Sequence, residues 1–161
     1  MSEPPVVNAS PLIYLSHASL IDLLQVEGQV VRIPTPVSRE IRYRGPQDPT
    51  VRILEATPWL SEVDPVPESS RVALWDLGPG ETSVLSWALA HPGTVAIVDD
   101  LAARRCAEAL GIPLIGTLGL VLKAKRQGRI PSARPIVEKL LEAGMYLSDP
   151  ILRRALSLVG E

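Results

Sequence analysis

Val95-Ala96-Ile97-Val98-Asp99-Asp100 is an apolar run that ends abruptly on two acids, and the residues that follow, Leu101 to Gly111, fit a helix. A short β-branched run closed by a polar residue and continued by a helix is the unit from which parallel sheets are assembled. The unit recurs outward from this stretch, at Val6–Val7, Val30–Ile33 and Leu114–Ile115. Three helix starts are marked by Ser10-Pro11, Thr35-Pro36 and Asp48-Pro49. Each pairs a capping residue with a proline at the first helical position, where its missing N–H costs nothing. Strands alternating with helices at this spacing imply right-handed crossovers and an α/β fold with a parallel sheet. In such sheets, ligand sites form just beyond the carboxyl ends of the strands.

Composition agrees. A chain of 161 residues suits one domain spanning 1–161 with a single core. The sequence is 46% hydrophobic, yet it has three Trp, three Tyr and no Phe. The core must therefore be built from Leu, Val, Ile and Ala, the usual filling of a buried parallel sheet. A net charge of −2 gives no overall attraction for a polyanion, so nucleic acid would have to be held by a local basic patch or by bound cations. The lone Cys106 forms no internal disulfide, and the N-terminus lacks a signal-peptide pattern. The apolar stretches Thr94–Val98 and Gly116–Leu122 fall well short of the roughly 20 residues of a membrane span. The expected compartment is the cytoplasm, with no membrane role. Pro58 to Arg71 reads as a loose connection that alternatively contains an edge strand at Trp59–Val63.

Asn8 follows the first strand, and Asp99 and Asp100 follow the run at Val95–Val98, so all three fall at carboxyl ends. Glu40, in the helix opened by Thr35-Pro36, and Glu81, just after Gly78-Pro79-Gly80, fit the same rim. Carboxylates gathered without matching cations repel one another, and a hard divalent cation such as Mg²⁺ or Mn²⁺ resolves that repulsion. A metal site of this kind suits phosphodiester hydrolysis. Each residue also has a simpler reading. Glu81 and Asp100 are favourable charges at helix starts, Asp99 is a cap for the helix running to Gly111, Glu40 pairs with Arg39 or Arg42 at the surface, and Asn8 caps the helix at Pro11. A phospho-receiver domain is rejected because the acidic pair falls late in the chain with no later strand-end Asp as phosphoacceptor. A dinucleotide site is rejected because Gly78-Pro79-Gly80 lacks the third glycine.

Five segments taken together resemble the PIN-domain superfamily, in the branch related to the toxin ribonucleases of toxin–antitoxin pairs. They are Val6-Val7-Asn8-Ala9-Ser10-Pro11-Leu12-Ile13-Tyr14-Leu15, Pro36-Val37-Ser38-Arg39-Glu40-Ile41, Gly78-Pro79-Gly80-Glu81, Val98-Asp99-Asp100-Leu101-Ala102-Ala103-Arg104-Arg105 and Gly116-Thr117-Leu118-Gly119. The resemblance implies a PIN-like three-layer α/β/α fold with a central parallel sheet of four or five strands. It also implies a metal-dependent endoribonuclease using Mg²⁺ or Mn²⁺. By the same resemblance Asn8, Glu40 and Glu81 are the first three ligands, Asp99 or Asp100 is the last, and Ser10 is a hydrogen-bonding neighbour of the metal. Asn8 stands where the superfamily most often has Asp, which keeps an oxygen ligand but removes a charge. The rival reading is a PIN-like module that binds RNA or protein without cleaving. An antitoxin protein is an implied partner, and the closing helices from Ser132 to Gly144 and Asp149 to Val159 are candidates for a homodimer contact.

Candidate RNA contacts are Arg104 and Arg105, then Lys123, Lys125 and Arg126 on the helix after Gly116-Thr117. Arg104 is nearest the acids, and its planar fork suits either a carboxylate or a phosphate. The lysines and Arg126 have a simple alternative as a solvated helix face. Trp59, Trp75 and Trp87 form no stacking array and read as packing residues.

Overall fold

Val6 and Val7, both fully buried, form the central strand of a five-stranded sheet. The computed structural model describes residues 2–161. In chain order the first half runs β1 (Val6–Val7), α1 (Ala9–His17), a 3-10 turn (Ile21–Val26), β2 (Val31–Pro34), α2 (Thr35–Arg42), α3 (Pro49–Ala56) and β3 (Leu60–Val63). The second half runs α4 (Ser70–Ala73), α5 (Pro79–Ala90), β4 (Ala96–Ile97), α6 (Leu101–Ala109), β5 (Leu114–Ile115), α7 (Thr117–Arg126), α8 (Arg134–Glu142) and α9 (Asp149–Leu158).

The strand order is β3-β2-β1-β4-β5, and every neighbouring pair is parallel. The chain builds outward from β1 through β2 to β3, then crosses back to lay β4 and β5 on the other side. The direction of winding therefore reverses between β1 and β4, and a crevice opens there because the flanking crossovers lead away to opposite sides. Register fixes what meets in the crevice. Val7 pairs with Ile97 and Ile97 with Ile115, so Asn8 leaves the sheet level with Val98, one residue before Asp99, and Asp99 leaves beside Thr117.

Helices cover the sheet in two groups. α5 lies over β1, β2 and β4 and packs on α2, α4 and α6, while α1, α3, the 3-10 turn and α7 pack together, with α8 and α9 against α7. The core joining these layers is aliphatic, as the composition requires: Leu12, Leu15, Ile33, Ile41, Leu85, Ile97 and Leu120 are among its largest fully buried side chains. The region from Pro58 to Arg71 does hold an edge strand, β3, paired to β2 over its whole length.

Two of the three expected helix starts shift. α1 begins at Ala9, which puts Asn8 rather than Ser10 at the capping position, and Asn8 makes no side-chain cap bond. α2 begins at Thr35, with Pro34 rather than Thr35 at the cap. The reason is common to both. Each helix follows directly from its strand, and neither cap residue makes a side-chain cap bond. Asp48 behaves as expected, accepting a 2.9 Å hydrogen bond from Thr50 N at the start of α3. At α6 the cap is Asp100, whose Oδ2 accepts from Ala103 N, and not Asp99. The Glu161 carboxylate closes the other end of the molecule by accepting from Ser132 Oγ and from the N–H groups of Ala133 and Arg134 at the start of α8.

Candidate metal and nucleic-acid site

Gly80 is the point about which the rim is organised. It sits in the first turn of α5, and a Cβ placed on it would lie 3.0 Å from Asn8 Oδ1 and 3.2 Å from Glu40 Oε2. Three elements thus converge there: Asn8 from the end of β1, Glu40 from α2 and the N-terminal turn of α5. The absence of a side chain at Gly80 is what leaves room there for both oxygens.

Asn8 is 2% exposed, and its Oδ1 has no hydrogen-bond partner. Two other buried side-chain oxygens among the described residues share that condition, the hydroxyls of Ser16 in α1 and Thr50 in α3, but only Asn8 lies at a strand end of the rim. An unpaired buried carbonyl oxygen costs about 1–3 kcal/mol, so Asn8 Oδ1 is an acceptor open to a donor or a cation. Much of Glu40 is exposed, and Arg42, one of its two alternative partners in sequence, is instead ion-paired with Glu62. Partial burial of the Glu40 carboxylate, followed by the charge of Glu81, raises its pKa above the ordinary glutamate range. Glu81 itself folds back over the start of α5, with Oε2 only 2.7 Å from where a Cβ on Gly78 would stand.

Asp99 and Asp100 take different positions. Thr117 N and Oγ1 donate to Asp99 Oδ1 and Oδ2 at 2.7 and 2.6 Å, which pins both carboxylate oxygens to the start of α7. Asp100 is exposed and caps α6. Arg104 reaches back over Gly116, its Nη1 donating to Val98 O at 3.2 Å. A Cβ on Gly116 would meet Arg104 Nη1 at 2.6 Å and Asp99 Oδ1 at 2.9 Å, so this glycine too is required by close approach.

Two clefts flank these residues. One, of about 760 Å³, is lined by Arg39, Glu40, Tyr43, Gly80, Glu81 and Asp100 among others. The second, of about 740 Å³, is lined by Ser10, Glu81, Asp99, Asp100 and Arg104, with an apolar wall that includes Leu118, Tyr146 and Ile151. Glu81 and Asp100 belong to both, so the acids form a ridge between the clefts. Among the described residues no three His, Cys, Asp or Glu side chains close up into a metal cluster on their own. The oxygens of Asn8 and Glu40 both border the space over Gly80, and the charge of Glu81 acts on Glu40. All are hard oxygen donors of the type that Mg²⁺ and Mn²⁺ take. With a buried unpartnered oxygen and a cradle that a single methyl would fill, the residues fit such an ion.

The basic residues divide. Arg104 is at the rim, while Arg105 is exposed and lines neither cleft. Lys123 Nζ donates to both Glu27 carboxylate oxygens at 2.9 Å, and Lys125 Nζ donates to Pro131 O at 2.7 Å. These two and the exposed Arg126 sit in the last turn of α7, roughly 10 Å along the helix from Thr117. The structure therefore brings none of the α7 cations to the acids. Sequence reasoning missed Thr117, Gly80 and Arg39. The sign of the first was its place in Gly116-Thr117-Leu118-Gly119, just past β5, the neighbour of β4.

A sequence model described as a PIN domain matches residues 4–161, nearly the entire chain. The chain belongs to the PIN-domain family, and its five-stranded parallel sheet flanked by helices is the fold that membership implies. PIN domains are generally nucleases and typically use divalent metal ions. No curated protein matches the sequence. Among the described residues, no helix is long and apolar enough to cross a membrane.

Proposed function

We propose that this protein is a metal-dependent endoribonuclease that hydrolyses RNA phosphodiester bonds with Mg²⁺ or Mn²⁺ held by Asn8, Glu40, Glu81 and the Asp99–Asp100 pair. The observation that carries this reading is the buried, unpartnered Oδ1 of Asn8, facing Glu40 across the bare Cα of Gly80. When bound, the cation supplies a water of lowered pKa and neutralises charge on the phosphate oxygens. Thr117 holds Asp99 in one orientation, the role that partners of ligating carboxylates play in metal sites. Arg104 offers donors beside Asp99 for a phosphate oxygen. Ser10 lines the same cleft and supplies a hydroxyl there. The resemblance to toxin ribonucleases makes a protein antitoxin the implied partner, supported by exposed Tyr146 and Ile151 beside the acids.

A second reading has its own support. Asn8 carries no charge, and the acids do not close into a cluster unaided, which favours a module that binds RNA with little turnover. One assay separates the two. RNA containing structured and single-stranded regions is incubated with wild type and Glu81→Ala in Mg²⁺, Mn²⁺ and EDTA. Cuts that need metal and vanish in the variant support the nuclease, whereas identical traces in all lanes support the binding module.

A further inference from the structure

Among the described residues, each cleft beside the acidic ridge is lined by a single cation: Arg104 in one and Arg39 in the other. Arg104 is occupied with Val98 O. Arg39 is exposed on α2 and makes no side-chain hydrogen bond or ion pair among the described residues, so its guanidinium is free. Its cleft is otherwise acidic, with Glu40, Asp76, Glu81 and Asp100 in the lining. A phosphate entering there has only this guanidinium, and whatever cation the acids hold, to receive it.

One turn further along the same helix face stands Tyr43. It lines the cleft and is 87% exposed, although an aromatic ring left in water gains nothing for folding. Arg39 and Tyr43 are four residues apart, hence on the same side of α2 and about 6 Å apart along its axis. The opposite wall is Asp76 to Pro79. Asp76 there has φ +51, a left-handed conformation that Asp tolerates better than most residues, and it turns the chain away from α4.

We propose that Arg39 and Tyr43 form a nucleotide subsite on the α2 side of the ridge, Arg39 holding the phosphate next to the one under attack and Tyr43 stacking on its base. The inference rests on the nuclease reading for its substrate class, single-stranded RNA. It adds a direction of travel: the strand crosses the ridge from the Arg39 cleft to the Arg104 cleft. Stacking on one ring tolerates any base, so the subsite selects for unpaired nucleotides rather than for sequence.

The test is fluorescence anisotropy with a labelled ten-nucleotide single-stranded RNA of mixed sequence, titrated with the full chain in Ca²⁺ and again in EDTA. Arg39→Ala and Tyr43→Ala are each expected to weaken binding at least tenfold, while Tyr43→Phe stays within twofold of wild type. Arg39→Ala is expected to lower the slope of log K against log salt by about 0.7, one phosphate contact on a single strand, and Tyr43→Ala to leave it unchanged. Both side chains are exposed, so unfolding midpoints serve as a control and should not move. Wild type that binds while both alanine variants bind equally well would overturn the subsite and leave the nuclease reading standing. Wild type that binds no RNA in either condition would remove both.

Discussion

Thr117 gives both of its donors, the backbone N–H and the hydroxyl, to the two carboxylate oxygens of Asp99. The clamp follows from register, since β4 and β5 are paired so that Asp99 and Thr117 leave the sheet side by side. Thr117→Val keeps the shape and the backbone bond but removes the hydroxyl. A hydrogen bond to a charged group is worth about 1.5–3 kcal/mol, and partners of metal-ligating carboxylates typically affect activity by about 10–100-fold. RNA cleavage is expected to fall within that range while Thr117→Ser stays near wild type. Cleavage by Thr117→Val at the wild-type rate would mean that Asp99 needs no clamp.

Gly80→Ala separates the site from the fold. The new methyl would stand 3.0 Å from Asn8 Oδ1 and 3.2 Å from Glu40 Oε2, closer than ordinary contact, and would spread the two oxygens apart. Elsewhere in a helix the same change stabilises by roughly 0.5–1 kcal/mol. Urea unfolding is therefore expected to change little, while Mn²⁺ affinity and cleavage fall by at least tenfold. A variant that binds Mn²⁺ like wild type would show that ions do not enter between Asn8 and Glu40.

Asn8→Asp restores a charge beside Glu40. Without metal it adds repulsion inside a buried pocket, and with metal it adds a ligand charge. The melting temperature is expected to drop in EDTA and to recover in Mn²⁺ beyond the wild-type gain. Mn²⁺ affinity is expected to rise at least tenfold, about 1.4 kcal/mol. A melting curve that shifts equally in EDTA and Mn²⁺ would show that position 8 does not meet the ion.

Asp48 provides a pH prediction away from the site. Burial works against its carboxylate, but hydrogen bonds from Thr50, Arg44 and His17 outweigh that cost and hold its pKa well below the usual range. A depressed folded-state pKa stabilises fully above the unfolded value of about 3.9 and is lost as pH falls below it. Asp48→Ala is expected to cost about 1–2 kcal/mol near pH 6, and the gap to wild type should shrink by pH 3. Chemical unfolding at the two pH values measures it, and a gap that is constant with pH would contradict the assignment.

The parts of the site legible in the sequence are those that follow from strand ends. Asn8, Asp99 and Asp100 each terminate an apolar run, and a parallel sheet brings such ends to one rim whatever its exact register. Glu40 was harder, because Arg39 and Arg42 offered it ion pairs, and only the fold shows Arg42 committed to Glu62. Thr117, Gly80 and Gly116 depend on register and on atoms meeting at about 3 Å, which no local pattern encodes. The α7 cations looked available because Glu27, the partner of Lys123, lies 96 residues away in the chain. The pairing of Tyr43 with Arg39 is not legible for a similar reason: their interest comes from sharing a cleft with the acids, and α2 by itself is an ordinary amphipathic helix.

The most direct test of the central claim is calorimetric titration of Mn²⁺ into the wild-type protein and into Glu40→Ala. One ion per chain, binding at or below about 1 mM, roughly 4 kcal/mol, and lost in Glu40→Ala, is the result expected if Asn8 Oδ1 and Glu40 turn toward a shared cation. Absence of binding to wild type at millimolar Mn²⁺, or equal binding by both proteins, would contradict it.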